Sequence, residues 1–119
     1  MFKRIFTTLG LITALASPAA AEVVYNDLNK NLTITGRTTN FQATAIYRHL
    51  RDHEVLTVTM QGQGGDYYAG LRIGRLIEAE GSIVIIPANQ RCVSACAFAA
   101  LGGDRVIVDG ELWFHTPYL

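Results

Sequence analysis

Ser94 stands in the run Cys92-Val93-Ser94-Ala95-Cys96, at the start of an alanine-rich stretch. A serine there has two uses. Its hydroxyl can cap a helix by accepting one of the orphan amides of the first turn. It can also attack an acyl carbon, with the amides that follow, Ala95 first, and the helix dipole stabilising the oxyanion. Attack requires a base near neutrality, and histidine is the usual one. His115, within Trp113-Phe114-His115-Thr116-Pro117, is the candidate. Taken alone on an apolar strand end, it reads equally as a packed side chain. Gly64-Gly65, inside Gln61-Gly62-Gln63-Gly64-Gly65-Asp66, is either a turn needing positive φ or the source of a second amide donor beside Ser94.

Cys92 and Cys96 lie four positions apart. Bonded, they would clamp the loop around Ser94; unbonded, they are buried thiols. The choice turns on geometry, since a bond needs Cα atoms within ~7 Å and converging Cβ vectors. His49 and His53 have the i,i+4 spacing of a metal pair. No third ligand accompanies them and His53 falls at a helix end, so no metal site is expected. Gly64-Gly65 is not a phosphate-binding fingerprint, and no cofactor is expected.

The elements that must place these residues alternate in type. Short β-rich runs cover 23–25 and 31–35 around an Asn-Asp turn. A helix starts at Asn40, read as its N-cap, keeps Phe41, Ala45, Ile46 and Leu50 on one face, and ends at Asp52-His53-Glu54. Residues 55–60 alternate as a strand. The glycine turn then opens a helix over 67–80, with Leu71, Ile73, Leu76 and Ile77 for burial and Gly81 as its cap. Residues 82–87 form a continuous apolar strand, the pattern of burial on both faces. A loop to Val93 leads into a helix over 94–101, ended by Gly102-Gly103. Two strands, 105–108 and 112–115, follow around Asp109-Gly110. Repeated strand and helix predict an α/β fold with parallel pairing and crossover helices. Open parallel sheets bind ligands outside the carboxyl ends of their strands, which is where the glycine turn, Ser94 and His115 fall.

The ends and totals bound the setting. Lys3 and Arg4, an apolar run over 5–16, and Ala19-Ala20-Ala21 have the order of a cleavable export signal, with the cut expected after Ala21. The apolar run is too short for the ~20 residues of a membrane span. The mature part, 22–119, is therefore expected outside the cytoplasm, periplasmic or secreted, with no membrane span. Losing Lys3 and Arg4 from the ten basic residues leaves eight against ten acidic ones. That mild negative balance gives no electrostatic reason to expect nucleic acid as a partner.

With these residues in place, a resemblance emerges. The segment Gln63-Gly64-Gly65-Asp66-Tyr67-Tyr68-Ala69-Gly70 resembles the "PGG…AG" strand-turn-helix of the Clp-protease proteolytic subunit. Cys92-Val93-Ser94-Ala95-Cys96-Ala97 is similar to its "ASxxA" nucleophile segment. Gly102-Gly103-Asp104-Arg105-Val106 and Trp113-Phe114-His115-Thr116-Pro117 look like its "aG…R" and "(M/F)IHxP" strands. Order and spacing agree from Leu32 to Leu119, and exported Clp-like proteins of bacteria share the "CxSAC" form of residues 92–96.

The resemblance implies the Clp/crotonase fold of stacked ββα turns, which usually oligomerises as copies of one chain. It implies Ser94 as nucleophile, His115 as general base, and the amides of Gly65 and Ala95 as oxyanion hole. The activity implied is that of a serine hydrolase, a peptidase taking peptides or unfolded protein segments without a cofactor. Two departures stand out. Gln63 replaces the usual proline, and the acid that orients the histidine lies further downstream in the family, at a position neither Asp104 nor Asp109 occupies. The domain at 22–119 is accordingly expected to be the front portion of the fold. A non-catalytic scaffold or peptide-binding remnant of the same fold is the alternative, and use of the oxyanion hole on an acyl-CoA is a further one.

Overall fold

The structure, a computed structural model, describes residues 21–116. The export signal expected over residues 1–21 lies outside them apart from Ala21, and so does Pro117. In order, the described elements are β1 (Glu22–Asn26), β2 (Asn31–Thr35), α1 (Asn40–Asp52), β3 (Thr57–Met60), α2 (Tyr67–Glu80), β4 (Ile83–Ile86), β5 (Arg91–Val93), α3 (Ala95–Ala100), β6 (Val106–Val108) and β7 (Glu111–Trp113).

Five strands form one sheet in the order β1-β2-β3-β4-β6. The edge pair β1–β2 is an antiparallel hairpin, with Val23 opposite Ile34. The remaining pairs are parallel, with Leu32 beside Val58, Val58 beside Val84, and Val84 beside Val106. Parallel neighbours cannot be joined by a tight turn, so α1, α2 and α3 serve as crossovers. This is the α/β architecture that the alternation predicts. A second, two-stranded parallel sheet joins β5 to β7, with Cys92 beside Leu112 and Val93 beside Trp113.

Strand alternation decides the core. Leu32, Ile34, Val58, Met60, Val84 and Ile86 point to the face covered by α1 and α2, where they meet Ala43, Ile46, Ile73 and Ile77. Each such large side chain, fully buried, contributes roughly 1.5–3 kcal/mol. The opposite face is polar on β2 and β3, where Asn31 Oδ1 accepts from the hydroxyls of Thr57 (2.8 Å) and Thr59 (3.0 Å).

The structure departs from the sequence expectations in several places. Strand β4 is buried on one face only: Val84 and Ile86 are inside, while Ile83 and Ile85 are half-covered. An all-apolar run is compatible with either arrangement, and the described residues cover one side. The N-cap of α1 is Thr39, whose hydroxyl accepts from the Gln42 amide at 3.1 Å, and Asn40 is the first helical residue. Phe41 is 90% exposed, and the inward face of α1 is Gln42, Ala43 and Ile46. Gln42 tolerates burial because its amide nitrogen donates to Thr35 O at 3.0 Å. Strand β5 lies within the stretch read as a loop; three residues are too few to show a period.

Helices α2 and α3 touch backbone to backbone. A Cβ on Gly70 would stand 2.5 Å from Ala95 O, and one on Gly74 would stand 3.3 Å from Ala99 O. Small residues on both helices permit this approach, and it fixes where α3 begins. Gly70→Ala sets two effects against each other. Helix propensity would gain about 1 kcal/mol, while overpacking costs ~1–3 kcal/mol. Because the obstacle is backbone, overpacking wins, and the urea midpoint of the full chain is expected to fall. A raised midpoint would contradict the close contact.

Candidate active site

Three chain segments meet at the carboxyl ends of β3, β5 and β7. After β3, the backbone is held on both sides. On one side Gly62 donates to Arg91 O (2.9 Å) and accepts from Val93 N (3.0 Å). On the other, Thr38 donates to Gly64 O and Asp66 donates to Thr38 O, both at 2.9 Å. In this parallel bridge between Thr38 and Gly65, the neighbours of Gly65 supply the bonds. The Gly65 amide itself therefore points to the opposite edge, the side of β5 and Ser94.

Both glycines are required by this geometry. Gly64 has φ +92°, and a Cβ there would lie 2.7 Å from Val93 O, 3.0 Å from Ser94 Cβ and 3.2 Å from Ala95 N. Gly65 has φ +153°, with Thr38 O in the space a side chain would need. The glycine turn thus lies directly against the backbone of Val93, Ser94 and Ala95. Asp66 then caps α2, its carboxylate accepting from the Ala69 amide at 3.0 Å.

Ser94 is the residue where the backbone leaves its comfortable range. Its φ of +56° and ψ of −116° are unusual for a side-chain-bearing residue, and its hydroxyl makes no capping bond to α3. Of the two uses open to it in the sequence, capping is not the one the hydroxyl adopts. Such a conformation costs about 1–3 kcal/mol and persists only where the surroundings impose it. Ser94 N–H donates to Trp113 O at 2.7 Å, and Ser94 O accepts from Phe98 N at 3.0 Å. Cys92 and Cys96 are joined as a disulfide with Cα atoms 5.1 Å apart. A bond closing so short a loop contributes about 2 kcal/mol on the chain-entropy account, the same size as the strain. Among the described residues, the amides of Gly65 and Ala95 have no backbone acceptor outside the regular elements.

His115 follows β7 by two residues and is exposed. Since Val93 pairs with Trp113 and Ser94 donates to Trp113 O, Ser94 and His115 leave neighbouring strands at the same end. His115 Nδ1 lies 2.9 Å from Thr116 O. A carbonyl only accepts, so in this contact Nδ1 is the donor. Edge-to-face rings tie the segment down: Tyr67 to Phe98 at 5.2 Å, and Phe98 to Phe114 at 5.3 Å. The backbone pairing of Thr38, the bond from Ser94 N–H to Trp113 O and the packing of Tyr67, Phe98 and Phe114 are not anticipated from the sequence, because contacts between distant residues leave no signal in composition.

Other candidates lie elsewhere. His49 and His53 stack with Tyr25 near the end of α1, at the amino ends of the parallel strands. There Arg51, donating to Asp52 at 2.8 Å, holds that exposed carboxyl below its ordinary range. Among the described residues, no group of three or more His, Cys, Asp or Glu could hold a metal. A cavity of about 330 Å3 lined by Asn89, Gln90, Arg91, Asp109, Gly110 and Glu111 sits at the amino ends of β5 and β7, and Ser94 lies outside it. Asp104 and Asp109 flank β6. No described helix is long and apolar enough to cross a membrane.

No family model matches the chain, and no curated protein does. Solved structures do match. A variant of a membrane-bound stomatin-specific protease in complex with a substrate peptide is 18% identical, with TM-score 0.60 over 73% of this chain and 44% of that one. An enoyl-CoA hydratase from Mycobacterium avium subsp. paratuberculosis K-10 is 18% identical, with TM-score 0.54 over 80% and 49%. A methylmalonyl-CoA decarboxylase is 14% identical, with TM-score 0.57 over 82% and 48%. The chain shares its fold with this protease and with these acyl-CoA enzymes, and it spans less than half the length of these neighbours.

If strain at Ser94 is imposed by its surroundings, removing the side chain's Cβ should release it. Ser94→Gly is therefore expected to be more stable than Ser94→Ala by about 1 kcal/mol or more, read from urea unfolding of both variants. Equal stabilities would mean that the backbone at 94 carries no strain.

Proposed function

We propose that the domain is a serine hydrolase of the peptidase class, working outside the cytoplasm after removal of residues 1–21. Ser94 is its nucleophile, His115 its general base, and the amides of Gly65 and Ala95 its oxyanion hole. The observation that bears most weight is the conformation of Ser94. A strained, uncapped serine pressed against a glycine turn is the arrangement that exposes a hydroxyl beside two converging amides.

In this reading His115 Nε2 takes the hydroxyl proton as Ser94 Oγ attacks the scissile carbonyl. The carbonyl oxygen becomes an oxyanion between the Gly65 and Ala95 amides. His115 returns the proton to the leaving amine, and water releases the acyl group by the same path reversed. The Thr116 carbonyl, accepting from Nδ1, favours the tautomer that this chemistry needs. The substrate is a peptide or an unfolded protein segment, already extended, since no ATP-driven unfoldase is expected outside the cytoplasm. The peptide complex of the stomatin-specific protease supports that substrate class. The fold usually forms oligomers of one chain, and a homo-oligomer belongs to the proposal.

The acyl-CoA neighbours favour a different use of the same amides, without a nucleophile. A fluorophosphonate probe separates the two. The full chain is expected to label stoichiometrically, Ser94→Ala not at all, and His115→Ala at a rate lower by about 100-fold or more. A folded full chain that resists the probe would exclude the hydrolase and leave the acyl-CoA use of the amides or a peptide-binding scaffold.

A further inference from the structure

We infer that the Cys92–Cys96 disulfide positions Ser94 and the Ala95 amide for reaction, so that the serine is reactive in the oxidised chain and largely inert in the reduced one. The inference rests on Ser94 being the nucleophile.

Ser94 is the middle residue of the loop that the disulfide closes. Both ends of that loop are anchored in the core. Cys92 is fully buried in β5, between Gly62 on one side and Leu112 on the other. Cys96 is 3% exposed in the first turn of α3 and belongs to the same hydrophobic cluster. Four peptide units could span roughly 13–14 Å when extended, yet the Cα atoms at 92 and 96 are 5.1 Å apart. The chain must reverse between them, and it does so at Ser94, where φ turns positive.

The flanking hydrogen bonds do not fix the reversal alone. Trp113 O accepts from the N–H of Ser94, and the Phe98 N–H donates to the carbonyl oxygen of Ser94. The disulfide joins β5, which is paired with β7, directly to α3, and so restrains the distance between the elements that carry those groups. The ψ of Ser94 also sets the direction of the next N–H, so one restraint orients both the hydroxyl and an oxyanion donor. Dithiothreitol removes it without touching any residue of the site: the dithiol gives two electrons and two protons, closes to its own cyclic disulfide, and leaves two thiols at 92 and 96. A chain still in a reducing compartment would then hold its serine out of register, and oxidation after export would set it.

The test is the rate at which a fluorophosphonate acylates the full chain, per folded molecule, when oxidised, when reduced, and in the C92A/C96A variant. The limiting rate is expected to fall at least about tenfold on reduction, equivalent to ~1.4 kcal/mol in the barrier. The probe concentration for half-maximal rate should stay within about twofold, because binding is not what changes. Reoxidation should restore the rate of the wild type, and C92A/C96A should be slow and indifferent to dithiothreitol. If that variant does not fold, reduced wild type decides the matter, with far-UV circular dichroism reporting the fold and the Ser94 and Ala95 amide resonances reporting the loop. Equal rates for oxidised and reduced protein would overturn the inference. So would a fall in labelling that merely follows loss of folded protein, which would make the bond a structural staple. Absence of labelling in the oxidised chain would instead overturn the assignment of Ser94 as nucleophile, and this inference with it.

Discussion

The contact on which the site depends is between two stretches of backbone. Gly64 lies so close to Val93, Ser94 and Ala95 that no side chain fits between them. Everything else arranges that meeting. The parallel order of β2, β3 and β4 brings the carboxyl ends of the strands to one side, and Thr38 pins the glycine turn from behind. Strand β5 delivers Ser94 from the front, bonded to Gly62 on one edge and paired with β7 on the other. Held in this way, the backbone amides of the two segments need no reorientation if charge develops beside them, which is what the proposed oxyanion hole requires.

The solved neighbours include a protease and acyl-CoA enzymes, so one fold carries different chemistries. Residues at the rim then decide what is done. Here the rim carries a serine with strained backbone on one strand end and a histidine on the next, tied down by Phe98 and Phe114. Fold alone does not set activity; on the proposed reading, these side chains separate one use from the other.

Much of this was legible in the residues themselves. Alternation of types predicted the parallel sheet, because apolar periods of two and of about 3.6 are imposed by burial. The glycine pair read as a turn needing positive φ, which both residues adopt. What escaped was information held in partners. Strand β5 is too short to show a period and exists through Gly62 and β7. Thr39 displaced Asn40 as the cap of α1, since both can accept and tertiary placement chose between them. Phe41 has the helical spacing of a core residue yet is exposed, while Gln42 is buried because Thr35 O receives its amide. No periodicity rule anticipates a satisfied polar group.

The most direct measurement is a structure of the full chain with a peptidyl phosphonate bound, since the tetrahedral phosphorus mimics the acyl intermediate. The account predicts a covalent bond to Ser94 Oγ, with the phosphonyl oxygen within ~3 Å of the amides of both Gly65 and Ala95. An adduct on another residue, or one on Ser94 with its oxygen turned to solvent, would contradict it.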